Sequence, residues 1–337
     1  MLHLFSLLVA LSTLILIFAG GLVTSTGSGL AVPDWPNTYG WFMFSFPLDK
    51  MVGGIFYEHG HRLIASTVGF LILVQAFWLW RAEPRRWVRR LGYTALGAVI
   101  TQGILGGITV LWFLPDPVSI AHASLAQIVF CLTVAIAVAT SPGWRAAYRT
   151  LPATTPPATS PTASGTSVPT QPPDDRILQK IAAATTAVVY TQIIIGATMR
   201  HTGAGLAIPD FPLMFGGLLP SHWDAAIAIH FAHRMGAAVV TLFVLATTAH
   251  VFFHHGRRGE LRRPAMLLLV LVCLQVTLGA FVIWSGKQFV INSAHVAVGA
   301  SVLGTSLVLT LRAFRGRAAS TPEGTRAYAG RTARATA

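Results

Sequence analysis

The sequence predicts an all-α integral membrane protein whose eight transmembrane helices form two parallel-repeat four-helix bundles, with the N and C termini cytoplasmic. Three observations carry that expectation. There are eight apolar runs of near-spanning length, the basic clusters are confined to alternate connections, and the second half of the chain repeats the first.

Composition sets the class. Of 337 residues, 53% are hydrophobic and 10% are charged, where a soluble domain carries about 25% charged residues. So little charge cannot cover a water-facing surface. The formal net charge of +13 would suit nucleic acid, but the basic residues sit in short clusters between apolar runs, as membrane topology places them, and nucleic acid is discounted as a partner. The two cysteines, Cys131 and Cys273, lie inside apolar runs and read as packing residues. The first run, Leu4 to Val23, lacks a basic leader and exceeds the roughly 7 to 15 apolar residues of a signal peptide, so it reads as a retained helix.

The spans are expected near 3–25, 58–80, 91–113, 118–140, 178–199, 229–253, 264–285 and 291–312. Arg81, Arg85, Arg86, Arg89 and Arg90 follow the second run. Arg257, Arg258, Arg262 and Arg263 follow the sixth, and Arg312, Arg315 and Arg317 follow the eighth. The opposite connections hold little beyond Lys50, Arg200 and Lys287. Excess Lys and Arg mark the cytoplasmic side, which puts the loops after odd-numbered helices outside.

A Pro/Thr/Ser/Ala stretch, LPATTPPATSPTASGTSVPTQPPDD, falls between the fourth and fifth runs and cannot bury a core. The expected organisation is a four-helix half over 1–140, a cytoplasmic linker over 141–177, a second four-helix half over 178–313 and a basic cytoplasmic tail over 314–337. Between the halves, GGLVTSTGSGLAVPDWP at 20–36 matches GATMRHTGAGLAIPDFP at 196–212, an offset of 176. Gln102 and Gly106 match Gln275 and Gly279, and AHASLAQ at 121 matches AHVAVGA at 294. Four helices per copy return the chain to the same side, so the repeats run parallel about an axis along the membrane normal.

Ionisable residues inside spans cost several kcal/mol unless paired or ligated, so each is a functional candidate. Four histidines obey the repeat: His61 and His233 open the second and sixth helices, and His122 and His295 open the fourth and eighth. One such histidine could be a core residue bonded to a carbonyl. Four at repeated positions and equal depth point instead to two pairs of imidazoles, each pair able to hold a heme iron inside a four-helix bundle. His3, His201, His222, His250, His254 and His255 lack that pattern and read as interfacial or solvated.

The halves differ at one informative position. Glu58 lies one helical turn before His61, whereas the matching residue before His233 is His230. A carboxylate beside a low-dielectric pocket could serve oxidation chemistry; the alternative is a helix-capping glutamate paired with Arg62. His59 points away from the Glu58 and His61 face. Arg62 and Arg234 have two readings that stay open here, as partners of heme propionates or as interfacial snorkels.

These motifs together resemble the heme A synthase family. The Gly-x-Gly-Leu outer loop, Glu58-His59-Gly60-His61-Arg62, the Gln-x-x-x-Gly-Gly run at 102–107, Ala-His at 121 and 294, and His-Arg at 233 are each weak alone, but their order across eight helices is specific. The resemblance spans nearly the whole chain apart from linker and tail. It implies an oxidoreductase of the cell (plasma) membrane, with heme sites toward the outer face, that converts the C8 methyl of heme O to the formyl of heme A for aa3-type terminal oxidases. It implies that His61 and His122 ligate the substrate heme O, that Glu58 assists its successive hydroxylation, and that His233 and His295 ligate a heme b cofactor that relays electrons. Implied partners are heme O synthase, terminal oxidase assembly factors, an electron donor the sequence does not identify, and a second copy of the chain. Many bacterial members carry a cysteine pair in the outer loops. AVPDWPNTYG and AIPDFPLMFGG have none, so the resemblance is to the cysteine-free branch.

Two other classes use the same features. A diheme electron carrier of the cytochrome b type would need the four histidines but not Glu58. A transporter would suit parallel repeats, but transport sites lie near the midplane rather than at helix ends.

Overall fold

The computed structural model describes residues 1–149 and 175–315. Nine α-helices occur among them: α1 (Leu2–Ser25), α2 (Gly54–Ala82), α3 (Arg86–Leu111), α4 (Asp116–Thr140), α5 (Pro142–Arg149), α6 (Arg176–His201), α7 (Ala225–His255), α8 (Gly259–Trp284) and α9 (Phe289–Ala313). All except the short α5 are long and apolar enough to cross a membrane. At about 1.5 Å per residue even a 24-residue helix such as α1 runs about 36 Å, more than a hydrocarbon core of about 30 Å, so the ends emerge into the polar zone. The protein is a multi-pass membrane protein.

Four helices begin four or five residues before the apolar runs that announced them: α2, α3, α7 and α8. Hydropathy marks depth in the membrane, whereas the helical hydrogen bonding runs on into the polar zone; of the four, only α7 starts at a side-chain cap. Asp224 accepts the Ile227 N–H at 2.7 Å and starts α7. In α8 the helix passes through Pro264 instead of starting there. Proline cannot donate to the carbonyl four residues back, that of Glu260, and Arg312 donates to that oxygen instead at 2.6 Å.

Within each half the helices close a ring: α1 packs on α2, α2 on α3, α3 on α4 and α4 on α1, and α6 to α9 repeat the circuit. Val9, Val68, Ile72, Leu79 and Ile136 fill the first core; Leu178, Val244, Leu261, Leu268 and Leu303 fill the second. The outward faces carry exposed Leu11, Ile15, Phe70, Phe77, Ile104, Leu242 and Val270. On a water-facing surface such residues would aggregate, and against lipid they are at home.

A common wall joins the halves. α1 lies on α9, and α4 lies on both α6 and α9. Small residues let the backbones approach: a Cβ on Gly21 would meet Ser293 Cα at 3.3 Å, and one on Gly304 would meet the Phe130 ring at 2.9 Å. Arg200 of the second half donates to the Gly21 carbonyl at 2.6 Å and to Ser25 Oγ at 2.7 Å in the first.

At the end of the bundles away from the four histidines, Glu83 accepts from Arg85 at 2.6 Å and Arg145 at 3.1 Å, and Arg85 also donates to the Ala139 carbonyl at 2.8 Å. Part of the segment expected as linker is therefore structured, since α5 supplies Arg145 and the buried Trp144. The rest of that segment, 150–174, and the tail beyond 315 lie outside the described residues.

Candidate functional site

His61, His122, His233 and His295 stand six to eight residues in from the first residues of α2, α4, α7 and α9, which is about 9 to 12 Å along each helix. α2 and α4 are diagonal in the first ring, as α7 and α9 are in the second, so each pair faces across a bundle axis. The ring centres of His233 and His295 are 6.4 Å apart. Two imidazoles on opposite sides of one metal, with bonds of about 2 Å, place their ring centres about 6 Å apart, so the spacing of the pair suits an iron between them.

Each imidazole lies on a glycine of the preceding helix. A Cβ would press the ring Cε1 at 3.1 Å from Gly20 (His61), 3.1 Å from Gly106 (His122), 2.9 Å from Gly196 (His233) and 3.2 Å from Gly279 (His295). The glycines fix ring orientation by contact, which explains their recurrence in the repeat. Buried Nδ1 atoms of His61, His122 and His295 have no protein partner. An unpartnered ring nitrogen in a dry bundle is costly, and a bound metal group would remove that cost for a pair of imidazoles. His61 and His122 thus each keep a ring nitrogen without a protein partner, and His233 and His295 have the spacing for a metal group between them.

Glutamine amides flank three of the four rings. Gln102 Nε2 lies 3.4 Å from His122 Nε2, Gln192 Nε2 lies 3.0 Å from His233 Nδ1, and Gln275 Nε2 lies 3.2 Å from His295 Nε2. Gln102 and Gln192 also donate to the carbonyls of the same histidines, at 2.9 and 2.7 Å. In the sequence, Gln102 stands out through the repeat and the Gln-x-x-x-Gly-Gly run and Gln275 through the repeat alone, while Gln192 is not singled out. A polar amide in mid-span was the available signal. His61 has Leu16 at the position that matches Gln192.

The outer loops close over the histidine end and are alike in detail. Asp34 accepts the N–H groups of Tyr39 and Gly40, each at 2.8 Å; Asp210 accepts those of Phe215 at 2.7 Å and Gly216 at 2.8 Å. The turn needs the left-handed backbone of Gly40 (φ +76°) and Gly216 (φ +77°). Burial pushes the Asp34 carboxyl up, but the Gly40 and Tyr39 N–H bonds outweigh it and hold the group below its ordinary value. For Asp210 the bond from Gly216, then that from Phe215, holds it down. Over the first half, Trp35 lies so close on α3 that a Cβ at Gly107 would meet its indole at 2.6 Å.

Glu58 is 3% exposed, and both of its oxygens are engaged: Oε2 accepts the Val32 N–H at 2.7 Å and Oε1 accepts from Arg62 Nη2 at 2.7 Å. In the second half His230 Nδ1 takes the place of that carboxylate, 3.2 Å from the Ile208 N–H. The structure puts both arginines to a use that sequence reading did not consider. Arg62 donates to the carbonyls of Val32, Asp34 and Asn37 at 2.8, 2.7 and 2.9 Å; Arg234 donates to those of Ile208, Asp210 and Leu213 at 3.1, 2.7 and 2.9 Å. Each clamps its outer loop, and with the Glu58 pair added the Nη donors of Arg62 are spent. His59 is buried against Thr38 Oγ1 (2.9 Å) and the Phe46 ring, away from His61 as expected.

Three of the histidines read as surface are not so placed. His3 Nδ1 meets the Ala137 carbonyl at 3.0 Å, and His250 and His255 both meet Asp175. His222 and His254 are exposed.

Residues 3–307 match the family model of the COX15-CtaA proteins, described as cytochrome oxidase assembly protein. The chain belongs to this family. Members similar to it include the heme A synthase of Symbiobacterium thermophilum, 31% identical over 273 residues, covering 79% of this chain and 80% of that one. The heme A synthase of Geobacillus kaustophilus is 27% identical over 317 residues, covering 92% and 90%. That of Alkalihalophilus pseudofirmus is 22% identical over 299 residues, covering 88% and 92%. As a COX15-CtaA protein, this chain carries the four histidines, the glycines beneath them and the two clamped loops inside the matched region.

Proposed function

We propose that the chain is a heme A synthase, an oxidoreductase that converts the C8 methyl of heme O to the formyl of heme A for aa3-type terminal oxidases. The observation that carries this reading is the doubled histidine pair in a chain whose relatives are named for that reaction, with a carboxylate beside only one of the pairs. On this reading 1–140 is the substrate half and 178–313 the cofactor half. His61 and His122 ligate heme O, and His233 and His295 ligate a heme b. That heme supplies one-electron transfer when bound.

The protein's own contribution is position and proton handling. The glycine supports orient each imidazole, the ring of helices excludes water, and the clamped loop with Trp35 covers the first site. Glu58 is poised to accept a proton at its carboxylate as the substrate side group is oxidised, with Arg62 and the Val32 N–H holding it in place. Arg62 is assigned to its loop rather than to a propionate, because its four Nη hydrogens are committed to three carbonyls and Glu58; Arg234 commits three of its own to carbonyls and keeps one Nη hydrogen for a propionate. The basic clusters at the opposite end support a topology in which both termini are cytoplasmic and the heme sites face the outer side of the cell membrane. Heme O synthase, terminal oxidase assembly factors, an electron donor and a second copy of the chain are the partners this reading calls for.

The test is extraction and chromatographic identification of the hemes bound by the full chain, expressed with and without a heme O synthase. Heme A or its hydroxylated precursor is expected in wild type and not in Glu58→Gln, while heme b persists in both and reports folding. Heme b alone in wild type, with heme O supplied, would leave a diheme electron carrier as the better account.

A further inference from the structure

One polar cluster plays no part in the chemistry above. Asp175, which precedes α6, commits one carboxylate oxygen to the Leu178 N–H at 2.9 Å. Its other oxygen, Oδ2, lies 2.7 Å from His250 Nε2 and 2.7 Å from His255 Nε2, both near the end of α7. The three ligand atoms are all within 4.8 Å of one another. The two imidazole centres are 6.0 Å apart, about 1 Å wider than the roughly 5 Å of two rings on one tetrahedral zinc, so the ion would draw the rings together by a small side-chain shift. His255 is only 8% exposed.

We propose that Asp175, His250 and His255 form a binding site for a divalent transition metal of the zinc class, at the end of the second bundle opposite the four span histidines. Two imidazoles and one carboxylate suit a borderline ion such as zinc; calcium and magnesium favour all-oxygen sets. Ligands must be free of the competing proton. Burial raises the Asp175 carboxyl, but the bonds from His250, the Leu178 N–H and His255 outweigh it and hold the group well below the carboxylate range. The site is also preorganised. Asp175 is fixed by the helix it caps, and both histidines stand on one continuous helix. His254 stacks on His250 at 4.3 Å with its Nδ1 on the His250 carbonyl, so it shields the site and leaves the fourth position to water. The bound ion would staple the first turn of α6 to the last turn of α7, directly after segment 150–174. Two neutral imidazoles donating to one carboxylate could occupy the same atoms without metal, and the experiment separates these two cases.

The full chain, purified in detergent without a polyhistidine tag and stripped with a chelator, is equilibrated with Zn²⁺ and its metal counted by mass spectrometry. Wild type is expected to retain roughly one Zn²⁺ per chain more than His255→Gln, and His255→Gln to bind at least about 10-fold more weakly. Glutamine keeps an N–H donor for Asp175, so a hydrogen-bonded clasp survives this change while a metal site does not. X-ray absorption at the zinc edge of wild type should show imidazole nitrogens in the first shell, a readout that needs no variant. No zinc retained by wild type, equal binding in wild type and His255→Gln, or a zinc shell without imidazole would each overturn the site.

Discussion

The two bundles share their ring of helices, their clamped loops and their glycine-backed histidines, and near those histidines they differ most around the first one of each pair. In the second half, Gln192 lies on His233, and the space it needs comes from Gly236, where a Cβ would collide with the amide oxygen. In the first half the matching residues are Leu16 and Ile64, both part of the apolar core. The exchange fills the corner with more apolar bulk and swaps a polar contact to the ring for an apolar one. One turn away, Glu58 replaces His230. A scaffold that would bind two groups alike has been changed at one corner, so that one site holds its histidine by an amide and the other offers a carboxylate and a histidine without a polar anchor. That fits a permanent cofactor in one half and a substrate that must leave in the other.

The comparison can be broken most directly through the histidines. Replacing His233 or His295 with Ala should remove nearly all stably bound heme, read as loss of the b-type absorbance of the purified protein. His61→Ala and His122→Ala should retain that heme and lose product. Equal loss in both sets would mean that the halves are not specialised. Glu58→Gln should lower heme A formation by about 100-fold or more at unchanged heme b content, whereas His230→Gln should leave formation within a few-fold. Exchanging the pair is a finer probe: Gln192→Leu combined with Gly236→Ile should weaken heme retention in the second half by about 10-fold, measured as heme transfer to apomyoglobin. The converse pair, Leu16→Gln with Ile64→Gly, should slow release from the first half.

The smallest effects belong to the loops, where the halves should behave alike. Asp34→Ala and Asp210→Ala should each lower the melting temperature by a few degrees. Because both carboxyls sit below their ordinary value when folded, their contribution is complete above about pH 4 and is lost as pH falls through the depressed value. A large difference between the two variants would show that the loops have diverged in function as well as in sequence.

Much of this was legible from sequence, for identifiable reasons. A span needs about 20 apolar residues, so eight runs announce eight helices; a repeated loop and four repeated histidines announce two equivalent sites. The starts of α2, α3, α7 and α8 lie outside the apolar runs because each first turn is made of polar, small or interfacial residues that carry no hydropathy signal, and only α7 has a side-chain cap to mark it. The work of Arg62 was hidden because its acceptors are backbone carbonyls 25 to 30 residues earlier in the chain. His250 and His255 read as surface because their common partner, Asp175, lies 75 and 80 residues away. Glycines beneath histidines were visible as repeated letters, but their contact crosses between helices and has no period along the chain.

The wall between the halves has a further consequence. First helix against last, last against first, and last against last is the pattern of an isologous interface, the one by which two identical four-helix units would form a two-fold dimer. In such a dimer every substitution appears twice. A carboxylate placed beside one site would stand beside both, and an amide removed from one would be removed from both. Joining the units into one chain keeps the mating surface and lifts that constraint, so Glu58 and His230 can occupy equivalent positions in a single molecule.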